Sequence, residues 1–131
     1  CKSIADLGVD FLAAGIGNIH GKYPANWEGL DFNALDAIQA ETGKLPLVLH
    51  GGSSNKDEEI AEAVKNGICK INISSDIKVA FYEQARKTLN ENPGYREPLE
   101  IYPAAMEACG KVCADKIRLF NSQDKVTCYY E

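Results

Sequence analysis

Two histidines occur in the chain, and each is followed by glycine at the end of a short apolar run: Ile19-His20-Gly21 and Leu49-His50-Gly51-Gly52-Ser53-Ser54. A third run closes on polar residues of the same character, Asn72-Ile73-Ser74-Ser75-Asp76. Neutral imidazole is the commonest metal ligand and also a proton carrier, so two histidines at equivalent positions fit a shared metal ion or hydrogen-bonding work in loops. Catalytic zinc takes three protein ligands as a rule, and the chain has no third histidine. Gly51-Gly52-Ser53 and Ser74-Ser75 each precede a helical pattern, where backbone N–H groups and hydroxyls suit a phosphate. Each loop taken alone fits ordinary turn and N-cap chemistry equally well. Two such loops on one rim favour the phosphate. Asn72, ending an apolar strand, fits either a satisfied buried amide or a donor to a substrate oxygen.

The elements that would bring these residues together alternate. Residues up to Leu7 read as the end of a helix stopped by Gly8, and residues 9–17 as a buried strand that opens into the loop carrying His20. Asp31 is the expected N-cap of a helix over 32–41 with Phe32, Leu35 and Ile38 on one face, closed by Thr42-Gly43. A strand follows over 45–49. After its loop, Asn55 and Glu58 resemble a capping box for a helix to Asn66, with Ile60, Ala61 and Val64 inward. Residues 68–73 form the next strand. Ser75 or Asp76 is expected to cap a helix to about Leu89, with Ile77, Phe81 and Ala85 buried. A last helix over 103–120 carries Met106, Cys109, Cys113, Ile117 and Phe120 at helical spacing, with Pro103 in its first turn. Strand–helix alternation predicts parallel strands joined by right-handed crossovers, with the three polar clusters converging on one rim.

Composition narrows the class. The chain has 131 residues, 45% hydrophobic and 25% charged, which fits one modest globular domain. A net charge of −5 argues against nucleic acid or an anionic membrane as partner. No apolar run approaches the ~20 residues that cross a bilayer, and no signal-peptide core opens the chain. Five cysteines without a metal-type pair fit a reducing compartment, the cytoplasm. Cys1 falls within a helical pattern, which suggests a fragment.

Asn18-Ile19-His20-Gly21-Lys22-Tyr23, Leu47-Val48-Leu49-His50-Gly51-Gly52-Ser53 and Lys70-Ile71-Asn72-Ile73-Ser74-Ser75-Asp76 resemble, in order, three motifs of the class II, metal-dependent fructose-bisphosphate aldolases and related ketose-phosphate aldolases. The resemblance implies an α/β fold, the C-terminal portion of a (β/α)8 TIM barrel, with residues 1–131 supplying about three βα units and a terminal helix of one domain. It implies His20 and His50 as two of three zinc ligands. Gly51, Gly52, Ser53 and Ser75 would hold the C1 phosphate of the substrate, and Asn72 would bond the enediolate. The carbonyls of Ile19, Gly21 and Gly51 are implied ligands of a monovalent cation, Na+ or K+.

The activity implied is aldol cleavage and condensation of a ketose (bis)phosphate, such as fructose or tagatose 1,6-bisphosphate, to dihydroxyacetone phosphate and an aldehyde. Zinc polarises the carbonyl and stabilises the enediolate. The partners implied are the phosphorylated sugar and further copies of the chain, as a dimer or tetramer. The family's first zinc histidine, its neighbouring aspartate and its loop glutamate have no counterpart here, so the chain is expected to be part of a longer enzyme and inactive alone. Glu97-Pro98-Leu99 stands where many members carry Asp-Pro-Arg. Leu99 cannot bind a distal phosphate, although Arg96 is close by. The alternatives are therefore the same chemistry on a ketose 1-phosphate, or a non-catalytic phosphate-binding subunit.

Overall fold

Parallel pairing of a buried apolar strand with a partly exposed one organises the first part of the chain. The computed structural model describes residues 1–19, 24–43 and 45–126, without the Ser54 side chain. The elements run α1 (Lys2–Ala5), α2 (Phe32–Thr42), β1 (Leu47–Leu49), a 3-10 turn (Gly52–Ser54), α3 (Asp57–Lys65), β2 (Ile68–Ile71), α4 (Ser75–Glu91) and α5 (Pro98–Leu119). The chain divides into two compact units, Cys1–Ile73 and the part from Ser74 onward.

In the first unit β1 pairs parallel to β2, with Val48 opposite Lys70, Leu49 opposite Ile71 and an irregularity between Leu47 and Val48. The strand expected over 9–17 is reduced to one parallel bridge, Leu12 to Leu47, made by Leu12 N–H to the Pro46 carbonyl and Val48 N–H to the Leu12 carbonyl. The order across this unit is nonetheless the expected one, with β1 between the two neighbours. All three residues of β1 are buried, which explains why it reads as an unbroken apolar run. Ile16, Leu35, Leu49, Ile60 and Ile68 complete the core.

The helices around the sheet follow their sequence signals unevenly. Asp31 caps α2 as expected, its carboxylate accepting from Ala34 N–H at 2.9 Å, and Gly43 ends the helix. The capping box at Asn55 does not form. Lys56 is the N-cap residue of α3 and offers no side-chain cap, since an ammonium has no acceptor, and the Asn55 amide turns back to the preceding loop. Three acidic residues in the first turn of α3 and Lys65 in its last complement the helix dipole instead.

The second unit is a pair of antiparallel helices. Moving forward along α4, Asp76, Ile77 and Phe81 meet Lys116, Cys109 and Tyr102 of α5, which run backward. Ser74 is the N-cap residue of α4, so neither Ser75 nor Asp76 caps it; Asp76 instead pairs with Lys116 at 3.1 Å, both half-buried. α5 begins at Pro98, earlier than expected, on a reciprocal capping box between Glu97 and Glu100, and Pro103 lies inside the helix. The face expected to be buried is also shifted. Met106, Cys113 and Ile117 are exposed, whereas Ala105 is fully buried.

Candidate active-site loop at the end of the first strand

His50 follows β1 directly and is half-buried, so the strand delivers it to the rim as expected. The chain then reverses over two glycines. Gly51 has φ +70°, a left-handed conformation that side chains rarely adopt, and opens the 3-10 turn Gly52–Ser54. Gly52 is buried against the end of β2. A Cβ on it would lie 2.5 Å from Ile71 Cγ2 and 3.2 Å from Ile73 Cδ1. A side chain there would force the loop or the Ile71 side chain to shift. Both glycines are therefore set by geometry, one by its backbone angle and the other by close approach.

Two side-chain amides grip the loop's backbone. Asn18 Nδ2 donates to the His50 carbonyl at 3.0 Å, and its own Oδ1 accepts from Ile16 N–H at 2.9 Å. Asn55 Nδ2 donates to the Gly51 carbonyl at 3.0 Å. Asn55 is only 8% exposed, and its Oδ1 is buried without a hydrogen-bond partner. Such an orphaned acceptor typically costs about 1–3 kcal/mol. Glu59 Oε2 is likewise buried and unpartnered, with Oε1 lying against Gly29.

The Asn18 bond spans 32 positions and brings the chain two residues before His20 against the backbone of His50. His20, Gly21, Lys22 and Tyr23 lie outside the described residues. Ile19, whose carbonyl is an expected cation ligand, is exposed. The Gly51 carbonyl, expected to serve the same ion, already accepts from Asn55; a carbonyl has two lone pairs, so that bond does not displace a ligand role. Trp27 Nε1 donates to the Gly17 carbonyl at 2.9 Å and ties the following loop to the same strand end.

Asn72 departs from one of its two readings, the satisfied buried amide. It is exposed, with its N–H donating to the Leu49 carbonyl at 3.1 Å and its Oδ1 accepting from Lys70 Nζ at 2.6 Å. Lys70 thus holds the amide oxygen, which leaves Nδ2 as the remaining side-chain donor of Asn72. In the second unit, Ser75 opens α4 and is exposed. Arg96, near the expected distal-phosphate position, donates through Nη1 to the carbonyls of Pro93 and Tyr95, and Leu99 is 87% exposed.

Among the described residues no group of three His, Cys, Asp or Glu side chains is placed to hold a metal. Among the described residues His50 is the one imidazole that could serve as a metal ligand. Imidazole is a fitting ligand for zinc, and the Asn18 bond brings the segment before His20 to the backbone of His50. Cys1, Cys69, Cys109 and Cys113 are free thiols. Among the described residues no helix is long and apolar enough to cross a membrane.

In the sequence Asn18 stands only as a member of the Asn18–Tyr23 motif, and Asn55 as an expected helix cap. The Asn18 contact carries no local signal, since its partner is far along the chain. Asn55 did carry one: an Asn just after a glycine turn often bonds a preceding backbone group.

The family model for class-II fructose-bisphosphate aldolase matches residues 1–125. The chain belongs to the class-II fructose-bisphosphate aldolase family. It is 42% identical to a fructose-bisphosphate aldolase of Mycoplasma genitalium over 95% of this chain and 45% of that protein. A fructose-bisphosphate aldolase of Streptococcus pneumoniae serotype 4 is 49% identical over 66% of the chain and 29% of its own length. The YdjI aldolase from Escherichia coli K12 superposes with a TM-score of 0.78 at 32% identity, covering 95% of this chain and 45% of that one. A putative fructose-1,6-biphosphate aldolase from Coccidioides immitis has the same fold, with a TM-score of 0.76 at 22% identity over 95% of this chain and 44% of that one. The chain thus spans less than half the length of the curated aldolases it matches along nearly all of its own length.

Proposed function

We propose that this chain is the C-terminal portion of a zinc-dependent aldolase that cleaves a ketose (bis)phosphate to dihydroxyacetone phosphate and an aldehyde. In this reading residues 1–131 supply about three βα units and the closing helix of a single (β/α)8 domain. The observation that carries it is the Asn18–His50 bond, which draws the segment ending at Asn18 against the end of β1, the two stretches that precede the chain's only histidines. A zinc ion held by His20, His50 and a ligand from outside these residues would polarise the ketose carbonyl and acidify the adjacent C–H.

The remaining work falls to this chain's own groups. Gly51 and Gly52, held close to the sheet, offer N–H groups to the C1 phosphate, and the Ser53 and Ser75 hydroxyls are proposed as further donors. Asn72, with its oxygen held by Lys70, presents Nδ2 to the substrate oxygen that gains negative charge. The carbonyls of Ile19, Gly21 and Gly51 are proposed to bind a monovalent cation that helps neutralise the phosphate. The enzyme is proposed to act in the cytoplasm as a dimer or tetramer, in keeping with four free cysteines among the described residues.

A second reading concerns the substrate. Leu99 presents an exposed apolar side chain where a distal phosphate would need a cation, which favours a ketose 1-phosphate over a bisphosphate. The test is aldol cleavage by the full-length enzyme on ketose 1-phosphates and the matching 1,6-bisphosphates. Cleavage of either series supports the aldolase. A bisphosphate kcat/KM exceeding that of the 1-phosphate would overturn the second reading, and no cleavage of any ketose phosphate would overturn both.

A further inference from the structure

We propose that Asn55 is a positioning residue that aims the Gly52 N–H of the His50 loop, working in tandem with Asn18. The trans peptide unit is planar, so fixing one carbonyl fixes the N–H of the next residue in the opposite direction. Asn18 Nδ2 holds the His50 carbonyl and thereby directs the Gly51 N–H. Asn55 Nδ2 holds the Gly51 carbonyl and thereby directs the Gly52 N–H. Two consecutive peptide planes are clamped by two side chains, one from a distant segment and one from just past the 3-10 turn. Left to itself, a glycine pair is the most mobile backbone a chain can have.

The burial of Asn55 argues that this clamp is not simply a stabilising contact. Its Nδ2 is used, while its Oδ1 is shut away from water with no donor. A residue present for packing alone would be better apolar, since an aliphatic side chain carries no acceptor to be orphaned. The amide donor is what an apolar residue cannot supply. Asn55 also sits one residue before the N-cap of α3 and gives that helix no cap, so its hydrogen bond serves the loop rather than the helix.

The kinetic arm of the test rests on the aldolase reading; the structural arm does not. In the full-length enzyme, Asn55→Leu removes both the donor and the orphaned acceptor at similar volume, and Asn55→Asp keeps the shape but turns the donor into an acceptor. Both variants are expected to raise KM for a ketose 1-phosphate about tenfold, roughly one lost hydrogen bond to the phosphate, with a smaller change in kcat. Thermal stability of the leucine variant is expected to equal or exceed that of the parent. By hydrogen exchange, the Gly52 amide is expected to exchange about tenfold faster in both variants. A fall in melting temperature with KM and exchange unchanged would overturn the proposal and leave Asn55 a structural residue. A parent that cleaves no ketose phosphate would sink the aldolase reading, and the exchange comparison would still decide the clamp.

Discussion

The two units of this chain solve the problem of holding polar groups in opposite ways. In the first, buried strands carry the backbone to a rim, and the polar groups there are gripped by side chains that donate to carbonyls, as Asn18 does to His50 and Asn55 to Gly51. In the second, two helices satisfy their own backbones, and the polar contacts are between side chains, as in Asp76–Lys116, or at a helix end, as in the Glu97–Glu100 box. The first arrangement fixes the direction of main-chain N–H groups, which is what a phosphate needs. The second fixes helices against each other and leaves apolar side chains such as Tyr82, Leu99 and Met106 exposed. Damage to the first unit should therefore appear in chemistry as well as stability, and damage to the second mainly in stability.

The largest effect is expected at Leu49, fully buried at the end of β1 beside His50. Leu49→Ala should cost about 2–5 kcal/mol in urea unfolding and reduce cleavage as the rim loosens. Next comes Gly52→Ala, whose methyl group would meet Ile71. A displaced loop should lower kcat/KM on the phosphorylated substrate by about 10²-fold, with stability falling less than for Leu49→Ala. A Gly52→Ala enzyme with full activity would dissolve the contrast between the units.

In the second unit, Lys116→Met breaks a half-buried ion pair and should cost about 1 kcal/mol, with KM unchanged. The smallest effect is expected at Glu100. Backbone N–H groups of Glu97 and Arg96 bond its carboxylate and lower its pKa below the usual glutamate value. A lowered carboxylate pKa stabilises the fold above the ordinary glutamate range, and that contribution fades as pH falls through the depressed value. Glu100→Gln should thus flatten the acid limb of the stability profile slightly; an unchanged limb would show that the box adds nothing.

What could be read in advance follows the same division. The Asp31 cap, α2 and β1 with its His50 rim are encoded locally, in an N-cap residue, an apolar run and a glycine turn, and they appear where expected. The apolar composition of residues 9–17 is that of a central strand, whereas among the described residues only Leu12 forms a strand bridge there and Phe11 is exposed. The start of α5 was misplaced because Pro103 looked like a first-turn proline, although Glu97-Pro98 followed by Glu100 already held a reciprocal cap. Asn18 and Asn55 were hidden for a different reason. Their roles depend on which backbone carbonyls come within reach, and for Asn18 that is decided by strand pairing between distant segments.

The central claim is that the loop at His50 joins a metal site to a phosphate cradle, and metal content tests it most directly. Zinc bound per chain should be measured in the full-length enzyme and in its His50→Ala variant, alongside aldol cleavage. Loss of most of the zinc and of cleavage from the folded variant is the expected result. A folded His50→Ala enzyme that retains its full zinc would contradict the assignment of His50 as a ligand.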